Sequence, residues 1–356
     1  MKKWLIIEIA ILTVLLTVAV IICVDLPAIS KLEKLPDTPN QNAQLSGTEK
    51  PPAEETTQTP DEDPPEEDPP AEDPEEEDEP KYPTWMQVPQ DRELSAREAF
   101  VYDCKTGEFT FLLGEKEEKI YPASITKLFT AYVALQFLEP EQLITAGDVL
   151  NMVGSGSSLA EIEKGDVVTV EQLVEAMLLP SGNDAAHILA DAAGRVIAGN
   201  QEIGYYTAVE TFMTEMNGQA RALGAANTHF TNPDGYHDPD HYTTFADLVK
   251  ITVKVMENPT IMKYANKDQD TVSLASGEKE WKNTNQLVHP ESKYYCSIAT
   301  GLKTGQTPSA GSCLLSSFAY EGGQWIIGVF QCADEFVRFD DTLQLLSKTI
   351  KIGEME

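Results

Sequence analysis

The chain has 356 residues, with 58 acidic against 26 basic side chains and a formal net charge of −32. A balance this acidic argues against nucleic acid, or an anionic membrane surface, as a partner held by charge. The length is sufficient for a large buried core in one large domain or two ordinary ones. The charge is unevenly spread, since residues 49–80 alone carry 16 acids and one lysine.

The first predicted element is an apolar segment at residues 4–24, which follows two lysines. A helix needs about 20 apolar residues to cross a bilayer core, and flanking lysines place that end in the cytoplasm. We therefore expect residues 1–30 to form an uncleaved transmembrane anchor. The alternative is a cleaved signal peptide, whose apolar region is usually only about 7–15 residues and precedes a small-x-small site.

Residues 31–84 are dominated by proline, glutamate and aspartate. Such a segment cannot bury enough apolar surface to offset chain entropy, so we expect a disordered acidic linker. Charge repulsion and proline stiffness would extend it into a spacer. The alternative is an interaction tail for cations or a basic partner.

Residues 85–352 form the predicted globular domain. Apolar, β-rich runs predict strands, and apolar periodicity predicts helices. The domain begins with strands at 99–104 and 108–113, joined by a hairpin turn at 105–107. Helices are predicted at 124–138, 170–179, 185–197, 206–223 and 243–256, then strands at 297–302, 312–320 and 324–331, and a last helix at 340–350. Strands at both ends with helices between them predict an α/β domain with one sheet and a helical lobe.

Four of the five cysteines lie in this domain. If Gly322 and Gly323 form the centre of a hairpin, Cys313 and Cys332 lie opposite each other, close enough for a disulfide. A chain of this length does not need one. We therefore expect two free, buried thiols, with the disulfide as the alternative.

Three short motifs carry candidate catalytic groups. Ser124 and Lys127 share one face at a predicted helix start, so the amine can reach the hydroxyl. Ser181-Gly182-Asn183 follows a helix in a turn that projects a hydroxyl and an amide. Lys303-Thr304-Gly305 lies on a predicted strand.

Each motif is weak alone, because the sequence contains a second copy of two of them. Ser276–Lys279 repeats the S-x-x-K spacing, and we expect it in a polar loop. Lys-Thr-Gly recurs at 105–107, in the predicted hairpin turn. The copies at 124–127 and 303–305 are informative because of their order and context. Together with Ser181-Gly182-Asn183 they form the element set of serine penicillin-recognising enzymes.

With its surrounding stretches, the chain resembles the serine D-alanyl-D-alanine carboxypeptidases, the low-molecular-mass penicillin-binding proteins. The matching stretches are YPASITK at 121–127, LPSGNDAA at 179–186, HFTNPDG at 229–235 and GLKTGQT at 301–307. The resemblance implies a β-lactamase/transpeptidase-like fold, in which helices flank an antiparallel sheet beside an all-helical lobe. Many relatives add a C-terminal β-rich domain; we expect none here, and expect the N-terminal segment to provide the anchoring.

The resemblance also implies residue roles. Ser124 would be the nucleophile, Lys127 its proton acceptor and Ser181 a proton relay to the leaving group. Backbone N–H groups of Ser124 and Gln306 would form the oxyanion hole. The implied substrate-binding residues are Asn183 for the amide, Lys303 for positive potential that keeps Lys127 neutral, Thr304 for the terminal carboxylate, Gly305, Gln306, and Arg338 for the carboxylate unless it is a surface arginine.

The implied activity removes the terminal D-alanine from peptidoglycan stem peptides, at the bacterial cell membrane and outside the cytoplasm. β-Lactams would act as covalent inhibitors, and we expect no cofactor and no metal. One alternative is a serine β-lactamase, but no Glu-x-x-Leu-Asn string lies between Ser181 and Lys303. Another is a non-catalytic sensor that binds penicillin or wall peptides.

The five histidines raise a different possibility, a Ser-His-Asp hydrolase. No Gly-x-Ser-x-Gly elbow surrounds any serine, which disfavours it. A metal site at His237 and His241 is disfavoured by Pro239 between them, which prevents regular helical geometry. We expect structural or loop-ordering roles for these histidines.

Overall fold

The structure is a computed structural model, and it describes residues 92–350. The predicted anchor at 1–30 and the predicted linker at 31–84 lie outside the described residues. Within 92–350, no helix has the length and apolarity that a membrane span requires.

The strands of the described region confirm the predicted sheet and add two small two-stranded sheets. They are β1 (Glu98–Asp103), β2 (Glu108–Leu113), β3 (Leu143–Thr145), β4 (Val167–Thr169), β5 (Gln269–Leu274), β6 (Gly277–Lys282), β7 (Ala299–Thr307), β8 (Gly311–Tyr320) and β9 (Gly323–Cys332). Five of them form one sheet in the order β2-β1-β9-β8-β7, and every neighbouring pair is antiparallel. Both ends of the domain therefore contribute strands to one antiparallel sheet, as the sequence predicts.

The helices also follow the predicted order. They are α1 (Thr126–Ala134), α2 (Val170–Leu178), α3 (Asn183–Ile197), α4 (Tyr205–Ala222), α5 (Phe245–Met256), α6 (Pro259–Ala265) and α7 (Val337–Thr349). Helix α2 begins with a capping box, in which the Thr169 side chain accepts from the backbone of Gln172 and Gln172 reaches back. The predicted 124–138 helix is shorter and starts with a 3-10 turn, Ala123–Ile125.

The sheet is buried on both faces. On one face, Phe100, Leu315 and Phe330 pack with the helical lobe. On the other, alternating residues such as Val101 and Leu314 pack against α7. This arrangement follows from the two-residue period of a strand, which points successive side chains to opposite faces. Strand β7 lies at one edge of the sheet and packs against the 3-10 turn at Ala123–Ile125.

The two-stranded sheets β3–β4 and β5–β6, and helix α6, were not predicted. Strands β3 and β4 have three residues each, and β6 is polar along most of its length. Neither strand pair therefore gives a clear periodic signal in the sequence. The expectation that Ser276–Lys279 lies in a polar loop holds for Ser276 and is wrong for Lys279. Ser276 lies in the β5–β6 turn, where its hydroxyl donates to Asp166 at 2.7 Å, and Lys279 lies on β6.

The predicted hairpin centre for Cys313 and Cys332 is also wrong. The β8–β9 turn is centred on Glu321 and Gly322, because Tyr320 pairs with Gly323. A register shift between Ser312 and Leu314 then places Cys332 opposite Ser312. All four described cysteines are free, which confirms the expectation of free thiols.

Asp341 of α7 should be a strong stabilising residue, since it is fully buried. Its carboxylate accepts from the Ala96 backbone N–H at 2.7 Å and contacts the Arg92 guanidinium. We expect Asp341→Ala to lower the free energy of unfolding by about 2–4 kcal/mol, because hydrogen bonds to charged groups contribute about 1.5–3 kcal/mol each. Chemical denaturation measures this loss.

The matched control for this prediction is Asp340→Ala, which removes the neighbouring, partly exposed carboxylate of the same helix. We expect it to change the free energy of unfolding by about 0.5 kcal/mol or less. Equal losses in the two variants would contradict the role given to Asp341.

Candidate active site

Ser124 lies in a 3-10 turn that two glycines hold from either side. A Cβ added to Gly235, whose φ is +80°, would lie 1.9 Å from the carbonyl oxygen of Ala123. A Cβ added to Gly305 would lie 2.9 Å from the carbonyl oxygen of Pro122. Ala123 itself has a φ of 48°, in the left-handed region that costs energy for a residue with a Cβ. The backbone around Ser124 is therefore closely constrained.

Lys127 lies one helical turn further along, on the same face as Ser124. Its Nζ is 2.8 Å from the Ser124 hydroxyl oxygen and donates to the carbonyl oxygen of Asp234 at 2.6 Å. Burial lowers the pKa of Lys127 to about 8, although the carboxylates of Asp234 and Asp184 raise it. A lysine with this pKa has a neutral fraction near pH 7 that is available as a base.

The loop that contains Asp234 is docked on α1 by hydrogen bonds. Thr130 donates to the carbonyl oxygen of Pro233 at 2.7 Å, and Nδ1 of His241 accepts from the backbone of Thr231 at 3.1 Å. Burial lowers the pKa of His241 to about 4, so the ring is neutral. Its Nε2 therefore carries the hydrogen and donates to Thr126 at 2.8 Å. This confirms a loop-ordering role for His241.

Asp234 and His187 form a buried pair that the sequence reasoning missed. Nε2 of His187 is 3.3 Å from Oδ2 of Asp234, and both side chains are almost fully buried. Burial alone would raise the pKa of Asp234, but the His187 hydrogen bond and the Lys127 charge bring it below its usual value. The carboxylate is therefore charged and balances the positive charge of the site. The sequence did contain a signal for this pair, because Asp234 lies inside the HFTNPDG stretch that carries the family resemblance.

Ser181 and Asn183 lie at the junction of α2 and α3. Ser181 is buried and has a φ of 66°, a strained conformation of the kind that clusters at functional sites. Asn183 donates through Nδ2 to the Ser157 hydroxyl at 2.9 Å, while its Oδ1 is buried without a hydrogen-bond partner. An unpaired buried acceptor is costly, and a ligand N–H would satisfy it.

Asp184, the next residue, ties this junction to the facing loop. Its carboxylate accepts from the backbone N–H groups of Ala160 at 2.9 Å and Ile162 at 3.0 Å. It is fully enclosed and lies at the N-terminus of α3, where negative charge is favourable. Asp184 therefore fixes the loop that carries Ser157.

Lys303 of β7 is also fully buried, and its amine donates to hydroxyl groups. Nζ donates to Thr284 at 3.2 Å and to Thr304 at 3.4 Å. Burial lowers the pKa of Lys303 well below its usual value, and the positive charges of Lys127 and Arg338 lower it further. The charge of Lys127 thus disfavours protonation of Lys303, whereas burial is what lowers the pKa of Lys127.

Arg338 is not the surface arginine that the sequence left open. It lies in the first turn of α7 and is only 6% exposed. Its Nη1 donates to the carbonyl oxygen of Gly305 at 3.4 Å, on the same strand as Lys303. A contact with substrate remains a prediction.

A cavity of about 460 Å³ opens over Ser124, and Asn183 and Gln306 lie on its wall. Loop segments 155–158, 235–237 and 306–309 complete the wall. His237 lies at this rim, where its Nε2 is 3.0 Å from the Ser309 hydroxyl. The predicted residues thus separate into two groups. Ser124, Asn183 and Gln306 lie on the cavity wall, whereas the second group is buried: Lys127, Ser181, Lys303, Thr304 and Arg338.

A serine–lysine pair at the junction of an antiparallel sheet and a helical lobe defines a serine hydrolase of the β-lactamase/transpeptidase-like fold. A family profile described as D-alanyl-D-alanine carboxypeptidase matches residues 85–333. The chain belongs to this family. The family resemblance drawn from the sequence motifs is therefore confirmed.

Two curated relatives illustrate the similarity. The chain is 37% identical over 215 residues to the D-alanyl-D-alanine carboxypeptidase of Streptomyces sp. (strain K15), a match that covers 58% of this chain and 70% of that protein. It is 28% identical over 238 residues to D-alanyl-D-alanine carboxypeptidase DacF of Bacillus subtilis, covering 66% of this chain and 56% of that one.

Solved structures give the same result for the fold. The Streptomyces K15 DD-transpeptidase superposes with a TM-score of 0.64 at 29% identity, covering 72% of this chain and 98% of that one. Penicillin-binding protein D2 of Listeria monocytogenes, in its ampicillin-bound form, gives a TM-score of 0.58 at 27% identity, covering 71% and 96%. The predicted fold class is confirmed.

The rate of Ser124 acylation should depend on pH through Lys127. A base must be neutral, and the pKa of Lys127 is about 8. We therefore expect the second-order rate constant for acylation by a fluorescent penicillin to rise with pH through about 8 and then level off. Gel fluorescence across roughly pH 6–10 measures it. A rate that does not change over this range would show that another group is the base, and Lys127→Ala should form no adduct.

Gly235→Ala should abolish acylation, because its Cβ would displace the Ala123 carbonyl and with it the Ser124 turn. Labelling by the same penicillin measures this, with thermal unfolding recorded alongside. Gly199→Ala is the matched control, since Gly199 also has a positive φ (+61°) but no atom lies within 4 Å of its added Cβ. Normal labelling of Gly235→Ala would contradict the close fit.

Proposed function

We propose that the protein is a serine-type carboxypeptidase that removes the terminal D-alanine of peptidoglycan stem peptides through an acyl-enzyme on Ser124. The observation that carries this proposal is the Ser124–Lys127 pair, with 2.8 Å between hydroxyl oxygen and amine. An accessible hydroxyl is an activated nucleophile when a fully buried lysine of lowered pKa lies beside it as the base. Membership of the D-alanyl-D-alanine carboxypeptidase family supports the substrate.

Acylation begins when the Ser124 oxygen attacks the carbonyl carbon of the penultimate D-alanine, while neutral Lys127 takes the hydroxyl proton. Backbone N–H groups of Ser124 and Gln306 stabilise the resulting oxyanion; both residues lie on the cavity wall. Such donors contribute roughly 3–4 kcal/mol each. The C–N bond then breaks as Ser181 passes its proton to the departing D-alanine amine and regains one from protonated Lys127, which returns to its neutral form.

Deacylation uses the same groups with water as the nucleophile. Lys127 accepts a proton from the attacking water, the ester bond to Ser124 breaks, and the serine oxygen regains its proton. The shortened stem peptide leaves with a new terminal carboxylate. One terminal peptide bond has been hydrolysed, and the enzyme returns to its starting state.

Substrate recognition follows from the charges and acceptors around Ser124. The buried Oδ1 of Asn183 accepts the substrate amide N–H. Thr304 donates to the terminal carboxylate, and the buried cations Lys303 and Arg338, which contact Thr304 and Gly305, provide positive potential. Anionic β-lactams fit the same site and acylate Ser124; the Listeria relative has been solved with ampicillin bound.

The membrane anchor, the linker and the extracytoplasmic location belong to the same proposal. The apolar run at 4–24 supports a single span, and the acidic segment at 49–80 supports an extended spacer. The catalytic domain would then occupy residues 85–352, which agrees with the profile match over 85–333.

The test uses two ligands with the full chain, a fluorescent penicillin and a diacyl-lysyl-D-Ala-D-Ala peptide. We expect a lasting penicillin adduct and release of D-alanine, and Ser124→Ala should show neither. Rapid turnover of penicillin would favour a β-lactamase instead. An adduct without D-alanine release would favour a sensor and overturn the proposal.

A further inference from the structure

Thr284 lies outside the three motifs, yet it contacts two residues of the third. Its hydroxyl oxygen is 3.2 Å from Nζ of Lys303 and 2.5 Å from the hydroxyl oxygen of Thr304. Its backbone N–H donates to the carbonyl oxygen of Leu179 at 3.1 Å, two residues before Ser181. Thr284 therefore connects the Ser181 turn with the Lys303 strand.

The flanking residues hold Thr284 in place. The side chain of Asn283 donates to the carbonyl oxygens of Ala265 at 3.2 Å and Lys267 at 2.8 Å, and it is almost fully buried. On the other side, Asn285 accepts from the backbone of Leu287 at 3.1 Å. The side chains of both asparagines form hydrogen bonds to the backbone, so Thr284 between them cannot shift without breaking those bonds.

The donors and acceptors of this cluster define where each hydrogen points. A charged lysine is a donor only, whereas a hydroxyl has one hydrogen and can accept two. Both threonine hydroxyls accept from Lys303. If Thr284 then donates across the 2.5 Å contact to Thr304, the Thr304 hydrogen is left for a group outside the cluster.

We propose that Thr284 is a positioning residue: it holds the Lys303 ammonium and directs the Thr304 hydroxyl hydrogen toward the carboxylate of the substrate. This inference rests on the proposed function, in which Thr304 donates to the terminal carboxylate. Within residues 92–350 no carboxylate pairs with Lys303, so its buried charged form is costly, and the hydroxyl acceptors reduce that cost. Loss of Thr284 should therefore weaken recognition of the carboxylate and leave the Ser124 nucleophile intact.

The test compares ligands with and without that carboxylate on the full chain. Thr284→Val keeps the shape of the side chain but removes its hydroxyl. We expect it to lower the acylation rate constant for benzylpenicillin, and kcat/KM for D-alanine release from diacyl-lysyl-D-Ala-D-Ala, by about tenfold, as for one hydrogen bond to a charged group. The comparison ligand is a peptide boronic acid, in which boron replaces the penultimate carbonyl and no terminal carboxylate is present. Its affinity for Ser124 should stay within about twofold.

Two further variants separate positioning from structural damage. Thr284→Ser restores the hydroxyl and should restore the benzylpenicillin rate. Thr300→Val is the matched control, because it removes another hydroxyl pair of the same strand, the 2.6 Å contact between Thr300 and Ser317, away from Lys303. It should leave both ligands unaffected.

Three results would overturn the inference: an unchanged benzylpenicillin rate in Thr284→Val, equal losses for benzylpenicillin and the boronic acid, or failure of Thr284→Ser to recover. The proposed function has its own readout, which is D-alanine release by the unaltered protein. If that release is absent, the function fails, while the penicillin and boronic acid arms still decide the role of Thr284.

Discussion

The absence of a side chain at residue 235 is the constraint on which the active site depends. Gly235 allows the loop backbone to approach Ala123 so closely that a Cβ there would be 1.9 Å from its carbonyl oxygen. This approach brings the Asp234 carbonyl to Lys127 at 2.6 Å and leaves Ser124 facing the cavity. The position of nucleophile and base is therefore set by backbone contact between two loops, which is stiffer than contact between flexible side chains.

The electrostatics of the site follow from burial and differ from those of the whole domain. Residues 81–356 carry 38 acids against 21 bases, but Lys127 and Lys303 are fully buried and Arg338 nearly so. Solvent screens exposed charges beyond roughly 10 Å, whereas buried charges are screened much less. An anionic substrate in the cavity therefore experiences the positive charges of Lys303 and Arg338 more strongly than the acidic surface, while the Asp234 carboxylate, near Lys127 and His187, supplies compensating negative charge.

The sequence predicts most of this architecture because its main signals are local. Apolar periodicity identified the long helices and the strands of the sheet, and the motif order identified Ser124, Lys127 and Lys303. Thr284 was missed because its partners are 19 and 20 residues away and form no spacing pattern. The Cys313 register was missed because a bulge and a turn shifted by one residue depend on packing of the whole sheet.

That register has a consequence for how the domain can be studied. Burial raises the pKa of the Cys104 thiol to about 11 and those of Cys296 and Cys313 to about 12, so the reactive thiolate is scarce near neutral pH. Cys313 is fully buried on β8, an interior strand of the sheet. A thiol reagent can modify Cys313 only after β8 separates from its neighbours, so the labelling rate of this natural residue reports the opening of the sheet without any engineered probe.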